Sequence, residues 1–208
     1  MNKLFIIGLP RTGTTSISVA LLEHFTVSHT AYTKRSFELA DVISDCPCFS
    51  DYPQLDGLFP QSKFVYLQRK LEHWLPSIQM LLNKMLPSLQ GENYVNPILK
   101  RSFNNSFHLD AVDDPLNKAH LVNCYRRHEQ GVIDYFNGRD DCLSIDITQA
   151  NSLSQLQSFL ALPQSDTNTF PHLNRGKRVD AWRDIKHPHK INSHAVGKEG
   201  RKYFEYCR

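Results

Sequence analysis

A three-layer α/β domain, with a mostly parallel central sheet and flanking helices, is predicted by three features of the chain. Short apolar runs of strand length recur, each leads into or lies between helical patterns, and a glycine-rich turn joins the first strand to the first helix. Lys3 to Ile7 is the first run, bounded by Gly and Pro and containing β-branched residues, which predicts a buried strand. Thr14 to Phe25 follows as a helix, with Ile17, Ala20, Leu21 and Phe25 at helical spacing. The second strand, Lys63-Phe64-Val65-Tyr66-Leu67, leads into a helical pattern through Trp74, Ile78, Leu81, Leu82 and Met85. The third, Cys142 to Ile147, lies between a long helix from about Leu116 to Tyr135 and a helix from Leu153 to Leu162. Ligands of such sheets gather beyond the carboxyl ends of the strands.

The 208 residues, 40% hydrophobic and 22% charged, suit one domain over 1–208 with an enclosed core. Within it, Gly91 to Asp114 is polar with weak helical spacing and is expected to form a helical cover (91–114) over a substrate site. The segment after Phe170 is basic and rich in Gly, His and Pro, which predicts a loop with little regular structure. His187-Pro188-His189 is read as part of that basic tail, and no metal site is expected. A net charge of +3 is too small for a nucleic-acid binder that neutralises many phosphates, so no nucleic-acid partner is expected. Five scattered cysteines suggest reduced thiols in a cytoplasmic protein. Gly8, Pro10 and Arg11 cut the apolar start short of a signal peptide, and no later stretch is expected to span a membrane.

The turn Gly8-Leu9-Pro10-Arg11-Thr12-Gly13-Thr14-Thr15-Ser16 carries the chemistry. Between a buried strand and a helix, such a loop directs backbone N–H groups and the helix dipole at one point, where an anion can sit. The spacing from Gly8 to Gly13 is that of a Walker loop, so the predicted sheet is P-loop NTPase-like. An ATP-binding loop continues with Lys and then Ser/Thr, the Lys reaching the phosphates and the hydroxyl holding magnesium. Here Thr14 stands in the lysine's place, and the cation has moved to Arg11, where it can grip an anionic group without a metal ion. A glycine pair by itself would be only a tight turn; Arg11, Thr12, Thr14 and Thr15 point further.

Pro10-Arg11-Thr12-Gly13-Thr14-Thr15 resembles the 5′-phosphosulfate loop of the sulfotransferase superfamily, typically Pro-Lys-Ser-Gly-Thr-Thr, with Arg for Lys. A second family motif, an Arg at a strand end and a Ser eight residues later, is matched by Arg69 and Ser77. A third, Arg-Lys-Gly with a Trp seven residues after the Arg, is approximated by Arg175-Gly176-Lys177 and Trp182, with Gly and Lys exchanged. The form is most similar to short sulfotransferase-like proteins, through Asp45-Cys46-Pro47 and Trp74-Leu75-Pro76-Ser77. The resemblance implies transfer of a sulfuryl group from 3′-phosphoadenosine 5′-phosphosulfate (PAPS, leaving PAP), with no metal required, to a hydroxyl or amine of a small-molecule, glycan or lipid acceptor. It implies that Pro10 to Thr15 hold the phosphosulfate, that Arg11 stabilises charge on the departing phosphate, and that Arg69 and Ser77 hold the 3′-phosphate. Arg175, Gly176 and Lys177 would lie in a C-terminal segment (171–208) that closes on the nucleotide. The alternatives are a P-loop kinase or nucleotidase, with Asp146 as its magnesium-holding carboxylate, and a nucleotide-binding relative without turnover.

In the cytosolic branch the base that takes the acceptor's proton is a histidine somewhat over twenty residues before the 3′-phosphate arginine. Asp45 stands there, 24 residues before Arg69. It could instead simply turn the chain before Pro47. Asp51, Glu38, His29 and His128 are the other candidates for the base. The third strand lacks the aromatic that often stacks on adenine, which leaves the base-holding side chain open. Tyr32, Phe37, Phe49, Tyr94, Phe103 and Phe107 would suit an apolar acceptor or, equally, a core.

Overall fold

Alternation along β1 (Leu4–Ile6) divides the molecule into layers, because Leu4 and Ile6 face one core while Phe5 faces another. The computed structural model describes residues 2–91, 94–164, 169–173 and 181–206. Along them run α1 (Thr14–Leu21), β2 (Val27–Ser28), α2 (Lys34–Leu39), β3 (Val42–Ser44), α3 (Cys48–Leu58), β4 (Lys63–Leu67) and α4 (Leu71–Leu89). They are followed by α5 (Pro97–Phe107), α6 (Lys118–Tyr135), β5 (Cys142–Ile145), α7 (Ser152–Phe159) and α8 (Ala181–Asp184).

The five described strands form one sheet in the order β2-β3-β1-β4-β5, parallel at every pairing. On one face Leu4, Ile6, Val65 and Leu67 pack with Ile17 and Leu21 of α1 and Leu153 and Leu156 of α7. On the other, Phe5, Ile43, Phe64 and Tyr66 meet Phe37 of α2, Leu55 of α3, and Val132 and Phe136 around the end of α6. This is the expected three-layer α/β fold. A third core stands beyond the strands' carboxyl ends, where α4, α5 and α6 bring together Trp74, Ile78, Leu82, Phe103, Phe107, Leu121 and Tyr125.

β1 leads through α1 to β2 at one edge, and β4 leads through α4 to α6 to β5 at the other. The connections leaving these two neighbouring strands therefore run in opposite directions and open a crevice at their carboxyl ends. That crevice, roofed by the third core, positions the site.

Local sequence sets several boundaries. Asn96 caps α5 by accepting from the N–H groups of Ile98 and Leu99, with Pro97 in the first turn, and Asn117 caps α6 in the same way. Thr33 caps α2 through the N–H of Ser36. β2 and β3, at two and three residues, are too short to give a period-2 signal, and they appear only through their pairing, β3 with β1 and β2 with β3. α1 ends at Leu21, earlier than its apolar spacing suggests, and Phe25 instead follows a turn onto the same core. The tail is more ordered than its composition implies. Val27 donates to the His189 carbonyl at 2.9 Å and Ile191 donates back to Val27 at 2.8 Å, which covers the open edge of β2. Among the described residues, no helix is long and apolar enough to cross a membrane.

His128 on α6 has its ring between Tyr52 and Tyr66, and its Nε2–H donates to the Phe49 carbonyl at 2.9 Å. Its Nδ1 is sealed from solvent and has no hydrogen-bond partner among the described residues. Burial pushes its pKa down to about 4. As pH falls, the unfolded chain takes up this proton first, near the ordinary value of about 6.5, so stability is present above that pH and is lost as pH falls towards 4. The loss reaches on the order of 3 kcal/mol. Thermal unfolding of His128→Gln should therefore depend less steeply on pH between 6.5 and 4.5 than that of the parent; equal slopes would assign the acid sensitivity to other groups.

Candidate active site

The loop between β1 and α1 is shaped by close approach. A Cβ on Gly8 would lie 2.5 Å from Leu67 Cβ and 2.5 Å from Thr12 Oγ1. Gly13 has φ of +111°, and a Cβ there would strike the Ile147 side chain. Thr12 turns inward to close the loop, its hydroxyl donating to the Leu9 carbonyl at 2.7 Å. The Trp74 indole N–H donates to the Pro10 carbonyl at 3.0 Å, tying the loop to the roof. Arg11 and Asp45 both have positive φ, 73° and 55°. A non-glycine residue in that region is uncommon, and such residues gather at functional sites.

Arg69 follows β4 and donates from its guanidinium to the Arg11 carbonyl, while its own carbonyl accepts from the Tyr125 hydroxyl at 2.7 Å. Arg11 Nε donates to Ser77 Oγ at 2.9 Å. Ser77 lies on α4, and its separation from Arg69 in sequence, which could have been incidental, becomes a shared location. Burial lowers the pKa of Arg11, with the neighbouring Arg69 lowering it further and Asp45 opposing, and burial likewise lowers that of Arg69. Both remain cations, since arginine does not lose its proton in proteins. Two half-buried guanidinium groups repel unless an anion joins them.

Two clefts meet here and share Arg11, Gly13, Ser16, Arg69 and Leu173. The outer cleft adds Thr12, His73, Pro76, Ser77, Met80, Ile147, Thr148 and His172, and none of its described lining residues is acidic. The inner cleft, lined also by Pro10, Thr14 and Thr15, adds His29, Thr30 and Asp45 with an apolar wall from α4 and α5. Thr14 Oγ1 donates to Asp45 Oδ2 at 3.0 Å, and Thr15 Oγ1 pairs with His29 Nε2 at 2.9 Å. Asp45 Oδ2 is 3.8 Å from His29 Nε2, and the His29 ring stacks on Trp182 at 5.5 Å. Burial lowers the His29 pKa, with Asp45 opposing, so its imidazole is neutral near pH 7.

Pro10, Arg11, Thr12, Gly13, Thr14, Thr15, Asp45, Arg69 and Ser77 are thus brought together in these adjoining clefts. Arg175, Gly176 and Lys177 lie outside the described residues. The remaining candidates for the base stand elsewhere. Asp51 is buried and paired with Arg101 at 2.7 Å, Glu38 is exposed beside Arg35, and His128 sits behind the sheet with the Tyr52 and Tyr66 rings. Asp146 accepts from the Thr148 N–H and hydroxyl at 2.9 and 2.7 Å, forming a local turn. His189 bonds to the Leu22 carbonyl at 2.8 Å, and no group of three or more His, Cys, Asp or Glu side chains able to hold a metal forms among the described residues. Sequence reasoning missed the supports, above all Tyr125, whose hydroxyl holds Arg69, and Ile147, which packs on Gly13. No local pattern distinguishes either from core.

The open parallel α/β sheet thus carries a cationic crevice at its switch point, with a carboxylate and an imidazole beside it. A family model described as a sulfotransferase domain matches residues 23–179, well over half of the chain. The chain belongs to this sulfotransferase family, and sulfuryl transfer is the class of activity its membership supports. The matched span includes Asp45, Arg69 and Ser77 and begins after the Gly8 to Ser16 loop. No curated protein matches the sequence.

Proposed function

We propose that the chain transfers the sulfuryl group of PAPS to a hydroxyl or amine of an acceptor. The observation that carries this reading is the convergence of Arg11, Arg69 and Ser77 in a cleft without a described acidic lining residue. The residues fit the nucleotide. Gly8 and Gly13 let the loop pack closely on Leu67, Thr12 and Ile147, and the start of α1, where Gly13 offers no side-chain cap, adds backbone donors for its phosphates. When bound, PAPS supplies an activated sulfuryl group on a phosphate that can leave. Arg11 offsets charge on that phosphate, Arg69 and Ser77 grip the 3′-phosphate, and Ile147, Pro76 and Met80 offer apolar surface to the base. Asp45 accepts the acceptor's proton, oriented by Thr14 and flanked by His29. The four described cysteines are free, which supports a reducing, cytoplasmic setting.

A magnesium-dependent kinase or nucleotidase has less support. Thr15, which follows the Walker lysine's position, is bonded to His29, and Asp146 is engaged by Thr148. Calorimetry separates the two. PAP should bind roughly ten- to a hundredfold more tightly than adenosine 5′-phosphate, the value of charge-assisted bonds to one extra phosphate, and Arg69→Met should erase the difference. If ATP with magnesium bound as well as PAP, the proposal would fall.

A further inference from the structure

The inner cleft has two chemically different halves. Its floor is polar, with Thr14, Thr15, His29, Thr30 and Asp45. Its wall is apolar, formed by Leu81 and Met85 from α4, Leu99 and Phe103 from α5, and Leu173. Phe103 is almost wholly buried against Phe49 and Phe107, but Leu81, Met85 and Leu99 are only partly covered. Their residual exposure leaves apolar surface in water beside the reacting group.

We infer that the acceptor is a neutral alcohol or phenol with a single reactive hydroxyl on an apolar body. This rests on the reading of the site as a sulfotransferase. A hydroxyl over the floor reaches Asp45, while an apolar body covers the α4–α5 wall and removes its exposed surface from water. A sugar would bring several hydroxyls against Leu, Met and Phe, where each would lose a hydrogen bond to water without a replacement. An anionic sugar would meet the Asp45 carboxylate. The cleft's described cations, Arg11 and Arg69, are in this reading committed to the nucleotide.

Calorimetry on the full chain, with and without saturating PAP, tests this with 2-naphthol and 1-octanol against N-acetylglucosamine and glucuronate. The apolar alcohols should bind at least roughly tenfold more tightly than either sugar, and Met85→Gln and Leu99→Asn should each weaken them by about three- to tenfold while PAP affinity is unchanged. Both side chains are partly exposed, and melting curves identify a variant that fails to fold, leaving the other variant and the parent's ligand series to decide. Sugar binding equal to alcohol binding, or alcohol affinity untouched by both variants, overturns the inference. Absence of PAP binding would instead sink the donor reading, and the measurements without nucleotide would still decide the acceptor class.

Discussion

Asp45→Asn is expected to lower sulfuryl transfer by roughly 10²- to 10⁴-fold, the range for a positioned general base, while PAP binds as tightly as to the parent. Asparagine is isosteric and can still accept from Thr14 Oγ1, 3.0 Å away in the parent, so the left-handed turn at Asp45 and the cleft should persist. The separation of turnover from nucleotide affinity makes the result informative, because a collapsed site would lose both. If Asp45→Asn kept its turnover, the proton would have to go to His29, the neutral imidazole 3.8 Å away. His29→Gln would then take the loss. Normal turnover in both variants would remove the cluster from the mechanism.

Arg101→Ala should cost about 3–5 kcal/mol of folding stability in denaturant titration, because it strands a buried charge. The Asp51 side chain is only 1% exposed, and Arg101 reaches both its oxygens, at 2.9 and 2.7 Å. The Tyr206 hydroxyl donates at 2.9 Å, its proton retained because burial and the carboxylate raise its pKa, and Ser50 donates at 2.6 Å. Two hydroxyl donors would remain for a full negative charge after truncation. The double replacement Asp51→Asn with Arg101→Met should recover much of the loss, since neither charge is then left alone. A loss below about 1 kcal/mol in Arg101→Ala would mean that water reaches Asp51. The pair also bears on function. It fastens α5 to α3, and α5 carries Leu99 and Phe103 to the inner cleft.

Asp45 and Asp51 show how differently sequence and structure speak. Each lies in a short segment beside a proline, and composition gave little reason to separate them. Fifty residues further along the chain, Arg101 returns to neutralise Asp51, while Asp45 faces the cleft with Thr14 and His29. His128, another candidate for the base, has its ring turned between two tyrosines. Arg69 and Ser77 line one cleft, because a strand end followed by helix turns restricts where both side chains can go.

By itself, the sequence determined the α/β class, the glycine loop with its arginine in place of the Walker lysine, and the strand-end arginine followed by a serine, because apolar periodicity and turn chemistry are local. Tertiary structure alone decided that β2 and β3 join the sheet, that Arg11 bonds to Ser77 across 66 residues, and which carboxylate faces the cleft. Those outcomes depend on desolvation and on partners distant along the chain, which no window of neighbouring residues contains.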